Sequence, residues 1–223
     1  MAKLILVPTP IGNLKDITYR AVEVLKSAEF ILCEDTRVSS KLLSEYQISK
    51  PLKSYHQANE HKILESVTEQ IANSEMVALI TDAGTPGISD PGFLLIRECI
   101  KNEIEIECLP GATAFVPALV QSGIPCDRFY FEGFLPHKKG RQTRLSIISQ
   151  LPDTVILYES PHRIQKCIDQ LIEHCGEDRA VSISRELSKK FEQTVRGSLS
   201  EVRDQLKEMT IKGEFVVILE GKK

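Results

Sequence analysis

The 223-residue sequence contains no CxxC pair, no GxGxxG, no GxxxxGK[ST] and no GxSxG. Those absences remove the disulfide-exchange site, the dinucleotide fingerprint, the P-loop and the nucleophile elbow. The five histidines form no metal-ligand spacing with cysteines or carboxylates. His56 and His61 are the nearest pair, five apart and off one helical face, so no metal site is expected. No apolar run approaches the roughly 20 residues a membrane-spanning helix needs. Met1 to Leu6 is too short, and too soon interrupted by Pro8, for a signal peptide. The formal net charge of −3 gives no global positive field, so any nucleic-acid contact must come from a local patch. No sequence repeat, low-complexity tract or flexible linker is present. Six scattered cysteines (Cys33, Cys99, Cys108, Cys126, Cys167, Cys175), mostly in apolar runs, fit reduced, buried thiols in a cytoplasmic protein.

What is present is a core-forming composition, 42% hydrophobic, punctuated by glycine and proline at the ends of short apolar runs. Leu79 to Gly92, LITDAGTPGISDPG, is the densest example. A strand-like run from Met76 to Ile80 enters a loop holding three glycines, two prolines and two aspartates, and a helix begins at Phe93. Glycine lets a ligand approach the main chain, and Pro86 and Pro91 stiffen the turn. The loop has two readings, a ligand cradle or a tight strand-to-helix connection.

The same grammar recurs along the chain. Leu4–Val7 reads as a buried strand opening into the loop Pro8–Asn13, followed by a helix capped by Asp16 with Ile17, Ala21, Val22, Leu25 and Ala28 on one face. Phe30–Cys33 is a second buried strand that delivers Glu34, Asp35, Thr36 and Arg37 at its end. These are either site residues or the start of a capped helix. Leu52–Tyr55, a helix from Asn59, the helix Phe93–Lys101, an edge strand Ile104–Leu109, the loop PGATAF and a helix Ala114–Gln121 complete a β-α alternation. Such alternation predicts a parallel sheet with right-handed crossovers.

Beyond Arg128 the pattern becomes strand Phe129–Phe131, loop Glu132–Gly140, strand Thr154–Tyr158, a helix through Ile164, Cys167, Ile168, Leu171 and Ile172, strands Ala180–Ser184 and Phe191–Arg196, helix Leu199–Met209 and strand Phe215–Leu219. Two α/β domains are predicted, 1–112 with a parallel sheet and 113–223 with a mixed sheet. His137, Lys138, Lys139, Arg141 and Arg144 cluster at a helix start, where cations oppose the helix dipole. That placement points to a backbone-binding patch or to a solvated basic face.

The strings TPIGNLKDITYRAVEVL, CEDTR, SYHQANE, TDAGTPGISDPG, LPGATAF, FEGFLPHKKG, YESPHR, RELSK and KGEFVVILEG run in order through nearly the whole chain. Together they resemble the ribosomal small subunit methyltransferase I family of the tetrapyrrole methylase superfamily. The resemblance implies two α/β domains of the class III methyltransferase fold, usually in a homodimer, with S-adenosylmethionine folded in the cleft between them. It implies 2′-O-methylation of a cytidine in the decoding region of 16S rRNA within the small ribosomal subunit. Its cofactor contacts fall on Ile11, Thr85, Ile88, Thr113, Ala114, Tyr158, Leu187, Gly213, Glu214 and Phe215. The middle loop reads Gly84-Thr85-Pro86 where most of the superfamily has Gly-Asp-Pro, as in the ribosomal branch. Many members continue some tens of residues past the last strand; if that extension helps hold RNA, binding here is expected to lean more on the body of the protein or on the ribosomal subunit.

A ribose hydroxyl needs a group to orient or accept its proton. Glu34, Asp35 and Asp82 are the candidates, each alternatively a loop cap. Arg37 and Arg163 are placed on phosphate, and Lys138, Lys139, Arg141 and Arg144 on the RNA backbone. A small-molecule methyltransferase of the same fold would not need the basic loop, and a non-enzymatic RNA-binding assembly factor would not need three Gly/Pro loops at strand ends.

Overall fold

The computed structural model describes residues 2–223 as two compact units, Met1–Thr113 and Ala114–Lys223. The first unit is a five-stranded sheet built from β1 (Lys3–Leu6), β2 (Phe30–Cys33), β3 (Leu52–Ser54), β4 (Met76–Leu79) and β5 (Glu105–Cys108). Its order is β3-β2-β4-β1-β5 and every pairing is parallel. The three central strands are buried on both sides, as continuous apolar runs require in a parallel sheet. The side-chain alternation of each strand divides the core in two. Leu4, Leu6, Leu32, Val77 and Leu79 face α3 (Glu60–Ala72) and α4 (Phe93–Lys101), where Val67, Ile71 and Leu95 meet them. Ile5, Ile31, Ala78 and Ile80 face α1 (Tyr19–Ser27) and α2 (Thr36–Glu45), through Ala21, Leu25 and Leu43. The strand rich in alternating Ile and Glu, β5, lies at an edge, as its pattern predicts.

Adjacent strands β1 and β4 therefore send their following helices to opposite faces. That divergence opens a crevice at their carboxyl ends, the topological switch point where open α/β sheets bind ligands.

The second unit is a mixed sheet of order β6-β7-β10-β8-β9, formed by β6 (Phe129–Phe134), β7 (Thr154–Glu159), β8 (Ala180–Arg185), β9 (Gln193–Ser198) and β10 (Phe215–Leu219). Only β6 and β7 pair in parallel; the other three pairings are antiparallel. One face is filled by α6 (Arg141–Gln150), α7 (Ile164–Cys175) and α8 (Leu199–Glu208), whose Leu145, Ile148, Ile164, Ile168, Leu171 and Val202 pack on Val155, Leu157, Val181, Ile183 and Val217. Ser198 and Glu201 form a reciprocal capping box at the start of α8. The short helix α5 (Phe115–Gln121) completes the unit, its Gln121 amide reaching Ser184 Oγ at 3.3 Å.

Several expectations are corrected. Asp16 does not cap α1: it ends a 3-10 turn, Leu14–Asp16, and the cap is Thr18, whose hydroxyl accepts from the Ala21 amide at 3.0 Å. The segment after Phe131 is not yet a loop, because a bulge between Phe131 and Gly133 carries β6 on to Phe134. The strand expected over Phe191–Arg196 is shifted to Gln193–Ser198 by its pairing with β8. Cys33, Cys99 and Cys167 are buried thiols, but Cys108 and Cys126 are exposed.

Gly111, after β5, marks the tightest approach of chain to chain beside the crevice. A Cβ there would lie 2.5 Å and 2.8 Å from Pro8 Cβ and Cγ, ring atoms that cannot swing away. Gly111→Ala is therefore expected to lower unfolding free energy by about 1–3 kcal/mol, read as a fall in the denaturant midpoint with an unchanged slope. A midpoint equal to wild type would show that the loops adapt freely.

Candidate active site

Three loops converge at the switch point of the first unit. Pro8–Asn13 follows β1, Thr81–Gly92 follows β4 and Pro110–Thr113 follows β5. The first two are joined by an isolated antiparallel bridge: the Thr9 amide donates to Gly84 O at 2.9 Å and the Gly84 amide to Thr9 O at 3.0 Å. Thr9 Oγ1 also donates to Thr81 O at 3.1 Å. The second and third are joined by Thr85, whose hydroxyl donates to Ala112 O at 2.9 Å and lies 2.7 Å from Thr113 Oγ1. Gly84 has φ +89°, and Ile11 Cγ2 lies 3.6 Å from where its Cβ would be. Ile11, Thr85 and Thr113 are thus gathered by main-chain and hydroxyl contacts, with Ile88 tied to Thr85 by its amide at 3.2 Å. The lining they offer is neutral and rich in backbone.

On adjacent strands, the ends of β2 and β4 bring together three carboxylates. The Asp35 amide donates to Asp82 Oδ1 at 3.1 Å. Asp35 is also the N-cap of α2, accepting from the Arg37 amide at 2.8 Å, and its carboxylate pairs with the Arg37 guanidinium at 2.6 Å. That guanidinium holds the Asp35 carboxyl well below the usual carboxylate range. Glu34 moves the other way: burial first, then the charge of Asp82, raises its pKa, against a lowering hydrogen bond from the Asp82 amide. Partial desolvation likewise raises Asp82, with the Asp35 charge adding to it while the Asp35 amide opposes. One carboxylate is thereby held ionised and paired, and two are tuned upward beside it.

In the second unit, the carboxyl ends of β7 and β8 flank the start of β10. Phe215 sits opposite both Glu159 and Arg185, and Val216 opposite both Tyr158 and Ser184. The Tyr158 hydroxyl accepts from the Phe115 amide at 3.2 Å, one residue after Ala114. The Leu187 turn and the Gly213–Phe215 turn are pinned together: the Glu186 amide donates to Glu214 O at 3.0 Å, and Lys189 Nζ reaches Glu186 Oε1 at 3.0 Å and Glu214 Oε2 at 2.8 Å. The ring of Phe215 belongs to the core, so the Gly213–Glu214 main chain is the more open part of that segment. Glu186 and Lys189 were not singled out from the sequence as site residues, although they lie within RELSK.

The basic residues divide. His137, Lys138 and Lys139 are exposed. Arg141 is not: it is 5% exposed, with Nε on Gln170 Oε1 at 2.8 Å and Nη1 on Pro136 O at 3.2 Å, and it ion-pairs with the fully buried Glu159 carboxylate. Arg163 shares that carboxylate at 2.8 Å and donates to Leu135 O at 3.3 Å. Arg144 clasps Glu132 and donates to the Tyr130 hydroxyl at 2.7 Å. The expected grip on RNA by Arg141 is corrected: its charge is spent inside the unit. A cation at the first turn of α6 is tolerated because Glu159, eighteen residues away, neutralises it.

Among the described residues, no group of three or more His, Cys, Asp or Glu could hold a metal ion, and no helix is long and apolar enough to cross a membrane.

Residues 3–203 match the Tetrapyrrole (Corrin/Porphyrin) Methylases. A diphthine synthase structure superposes with a TM-score of 0.76 at 14% identity, covering 98% of this chain and 90% of that one. A cobalt precorrin-4 methyltransferase does so at 0.72 and 16%, covering 98% and 95%. A uroporphyrin-III C-methyltransferase from Thermus thermophilus, complexed with S-adenosylhomocysteine, gives 0.66 and 19%, covering 98% and 97%. The class is thus a tetrapyrrole-methylase-type, class III methyltransferase fold. Two curated relatives fix the branch: the "Ribosomal RNA small subunit methyltransferase I" proteins of Mycoplasmopsis pulmonis, 48% identical over 98% of this chain and 97% of that protein, and of Thermotoga maritima, 40% identical over the full length of both. The chain belongs to the ribosomal RNA small subunit methyltransferase I family.

Removing Arg141 leaves the buried Glu159 with one partner fewer. Arg141→Ala is expected to destabilise the protein by about 3 kcal/mol, seen as an early thermal transition, whereas Lys138→Ala leaves the transition in place. Equal stability of the two variants would return Arg141 to the surface.

Proposed function

We propose that this protein transfers a methyl group from S-adenosylmethionine to the ribose 2′-oxygen of a cytidine in the decoding region of 16S rRNA. The observation that carries the reading is the meeting of neutral, backbone-lined loops with the carboxylates Glu34, Asp35 and Asp82 along the carboxyl edge of one parallel sheet. Family membership supports the rRNA substrate, and the bound S-adenosylhomocysteine of the Thermus thermophilus structure supports the cofactor. The cytidine, its 2′-oxygen and the decoding region come from the motif resemblance.

The residues present fit the cofactor. A zwitterionic amino acid and an uncharged nucleoside are matched by main-chain donors and acceptors, and the loops Pro8–Asn13, Thr81–Gly92 and Pro110–Thr113 carry no arginine or lysine that would favour a triphosphate. Ile11, Thr85, Ile88 and Thr113 of the first unit, with Ala114, Tyr158, Leu187, Gly213, Glu214 and Phe215 of the second, are the proposed holders. When bound, the cofactor supplies an activated sulfonium methyl group.

What remains for the chain is to align the acceptor hydroxyl, exclude water and manage its proton. Glu34 is the proposed proton acceptor, with Asp82 keeping its basicity up. Asp35 is the strut: ionised and paired, it fixes the Asp82 oxygen through its amide and sets Arg37 at the rim for a phosphate. The exposed His137–Lys139 loop takes the RNA backbone, with Arg163 and Arg144 shaping its floor rather than reaching out. The protein is proposed to act in the cytoplasm, as a homodimer.

Mass spectrometry of rRNA from small subunits incubated with enzyme and labelled S-adenosylmethionine should place one label on a cytidine ribose. Label on a base, or on no nucleotide while calorimetry shows cofactor bound, would overturn the assignment. The rate should rise with pH as Glu34 ionises, with a midpoint above the ordinary glutamate value. Asp82→Asn should move that midpoint down, since it removes a negative neighbour, and Glu34→Gln should abolish the pH dependence along with most of the rate. Lys138→Ala/Lys139→Ala should reduce the salt slope of RNA binding by about two contacts; an unchanged slope would remove the loop from the interface.

A further inference from the structure

Two of the recognisable strings, CEDTR and SYHQANE, are not used by the cofactor holders, yet the fold brings both to one place. A cavity of about 370 Å³ in the first unit is walled by Glu34 from the end of β2, by Gln57 from the turn after β3 and Glu60 from the start of α3, and by the Gly87–Phe93 stretch after β4. It opens at the carboxyl edge of the parallel sheet, directly beside the proposed proton acceptor.

The walls are built rather than incidental. The turn that presents Gln57 is fixed by Asn59, whose side chain accepts from the His56 amide at 2.9 Å and donates to Ser54 O at 3.2 Å. Glu60 is oriented from below by the buried Tyr55, whose hydroxyl reaches Oε2 at 3.4 Å. The opposite wall folds tightly on itself: Gly87 and Gly92 have positive φ, and a Cβ on Gly92 would stand 3.4 Å from the Gly87 amide nitrogen. At the rim, Phe93 is 65% exposed in the first turn of α4, while Leu95 of the same helix is completely buried. An aromatic ring at the mouth of a polar cavity, with the Arg97 guanidinium over it at 5.3 Å from the centroid, is a stacking platform of the kind single-stranded RNA readers use.

The chemistry of the lining selects its occupant. Side chains facing the cavity carry carboxylates and an amide, with no arginine or lysine, so a phosphate is repelled. A base edge that donates through an exocyclic amine is matched, because carboxylates accept from cytosine N4. Uracil, which offers an acceptor at that position, meets the carboxylates with the wrong sign. The volume suits one flipped-out nucleoside.

We propose that this cavity seats the base of the acceptor nucleotide, with Phe93 stacking on it and Gln57 and Glu60 reading its amine-bearing edge, so that these residues set the preference for cytidine over uridine. This rests on the proposed ribose methylation and adds the residues that choose the nucleotide. Arg37, paired with Asp35 next to Glu34 at the end of β2 and largely exposed, brings a cation to the same strand end for the attached phosphate.

The test uses the full chain and small subunits carrying either cytidine or uridine at the acceptor position, with single-turnover methylation and cofactor calorimetry in parallel. Wild type is expected to favour cytidine by at least about tenfold. Glu60→Gln should bring that ratio to within about threefold with cofactor affinity unchanged, because an amide both donates and accepts. Phe93→Ala should raise KM for the subunit more than it lowers kcat, and Phe93→Tyr should restore it. A wild type indifferent to the base, or a Glu60→Gln protein that discriminates as wild type does, overturns the inference while leaving ribose methylation standing. Loss of methylation on both substrates by wild type with cofactor bound removes the parent function, and this inference falls with it.

Discussion

The first unit depends on a single backbone bridge. Thr9 and Gly84 exchange two amide-to-carbonyl hydrogen bonds just beyond the carboxyl ends of the paired strands β1 and β4, at the point where the two strands send their helices to opposite faces of the sheet. Without it, the two glycine- and proline-containing loops would be left with the Thr9 hydroxyl's bond to Thr81 O. With it, Ile11 lies over Gly84, Thr85 can reach Ala112 and Thr113, and the third loop joins the other two. Neutral main-chain contacts of this kind fix position without introducing charge. That suits a ligand whose own charges are few and internally balanced.

Charge is handled separately, one strand away. Asp35, Asp82 and Glu34 stand within a short arc at the ends of β2 and β4, and the protein separates their behaviour by partner rather than by residue type. A guanidinium holds Asp35 ionised, whereas desolvation and repulsion push Glu34 and Asp82 up. Pairs of carboxylates whose environments drive them apart are a recurrent way to obtain both a fixed charge and an available base. The second unit treats the cations of this cluster likewise: a buried Glu159 holds Arg141 and Arg163 and Glu132 holds Arg144, while His137, Lys138 and Lys139 face solvent.

Much of the architecture was legible from local pattern. Continuous apolar runs marked β1, β2 and β4, the Ile/Glu alternation marked β5 as an edge, and α4 ran over the predicted Phe93–Lys101. Errors gathered where competing local signals were close in strength. Thr18 and Asp16 can each cap a helix, and only the first can do so once Leu14–Asp16 has turned as a 3-10 segment. β6 outran its aromatic start because pairing with β7 supplies hydrogen bonds through a bulge that no residue pattern announces.

By itself, the order of residues determined the elements, the parallel first sheet, the loops at its strand ends and the family, since these are properties of neighbours in the chain and of strings that survive intact. Which side chains meet was decided only by tertiary structure. Arg141 reads as a surface cation until Glu159 is brought beneath it, and Asp82 meets the Asp35 amide only because β2 and β4 lie side by side. Gln57 and Glu60 share one string, but nothing along the sequence links them to Glu34 or Phe93, with which they wall one cavity. Pairing and desolvation depend on distance in space, and residues tens of positions apart acquire a common electrostatic environment only when the sheet has set their strands side by side.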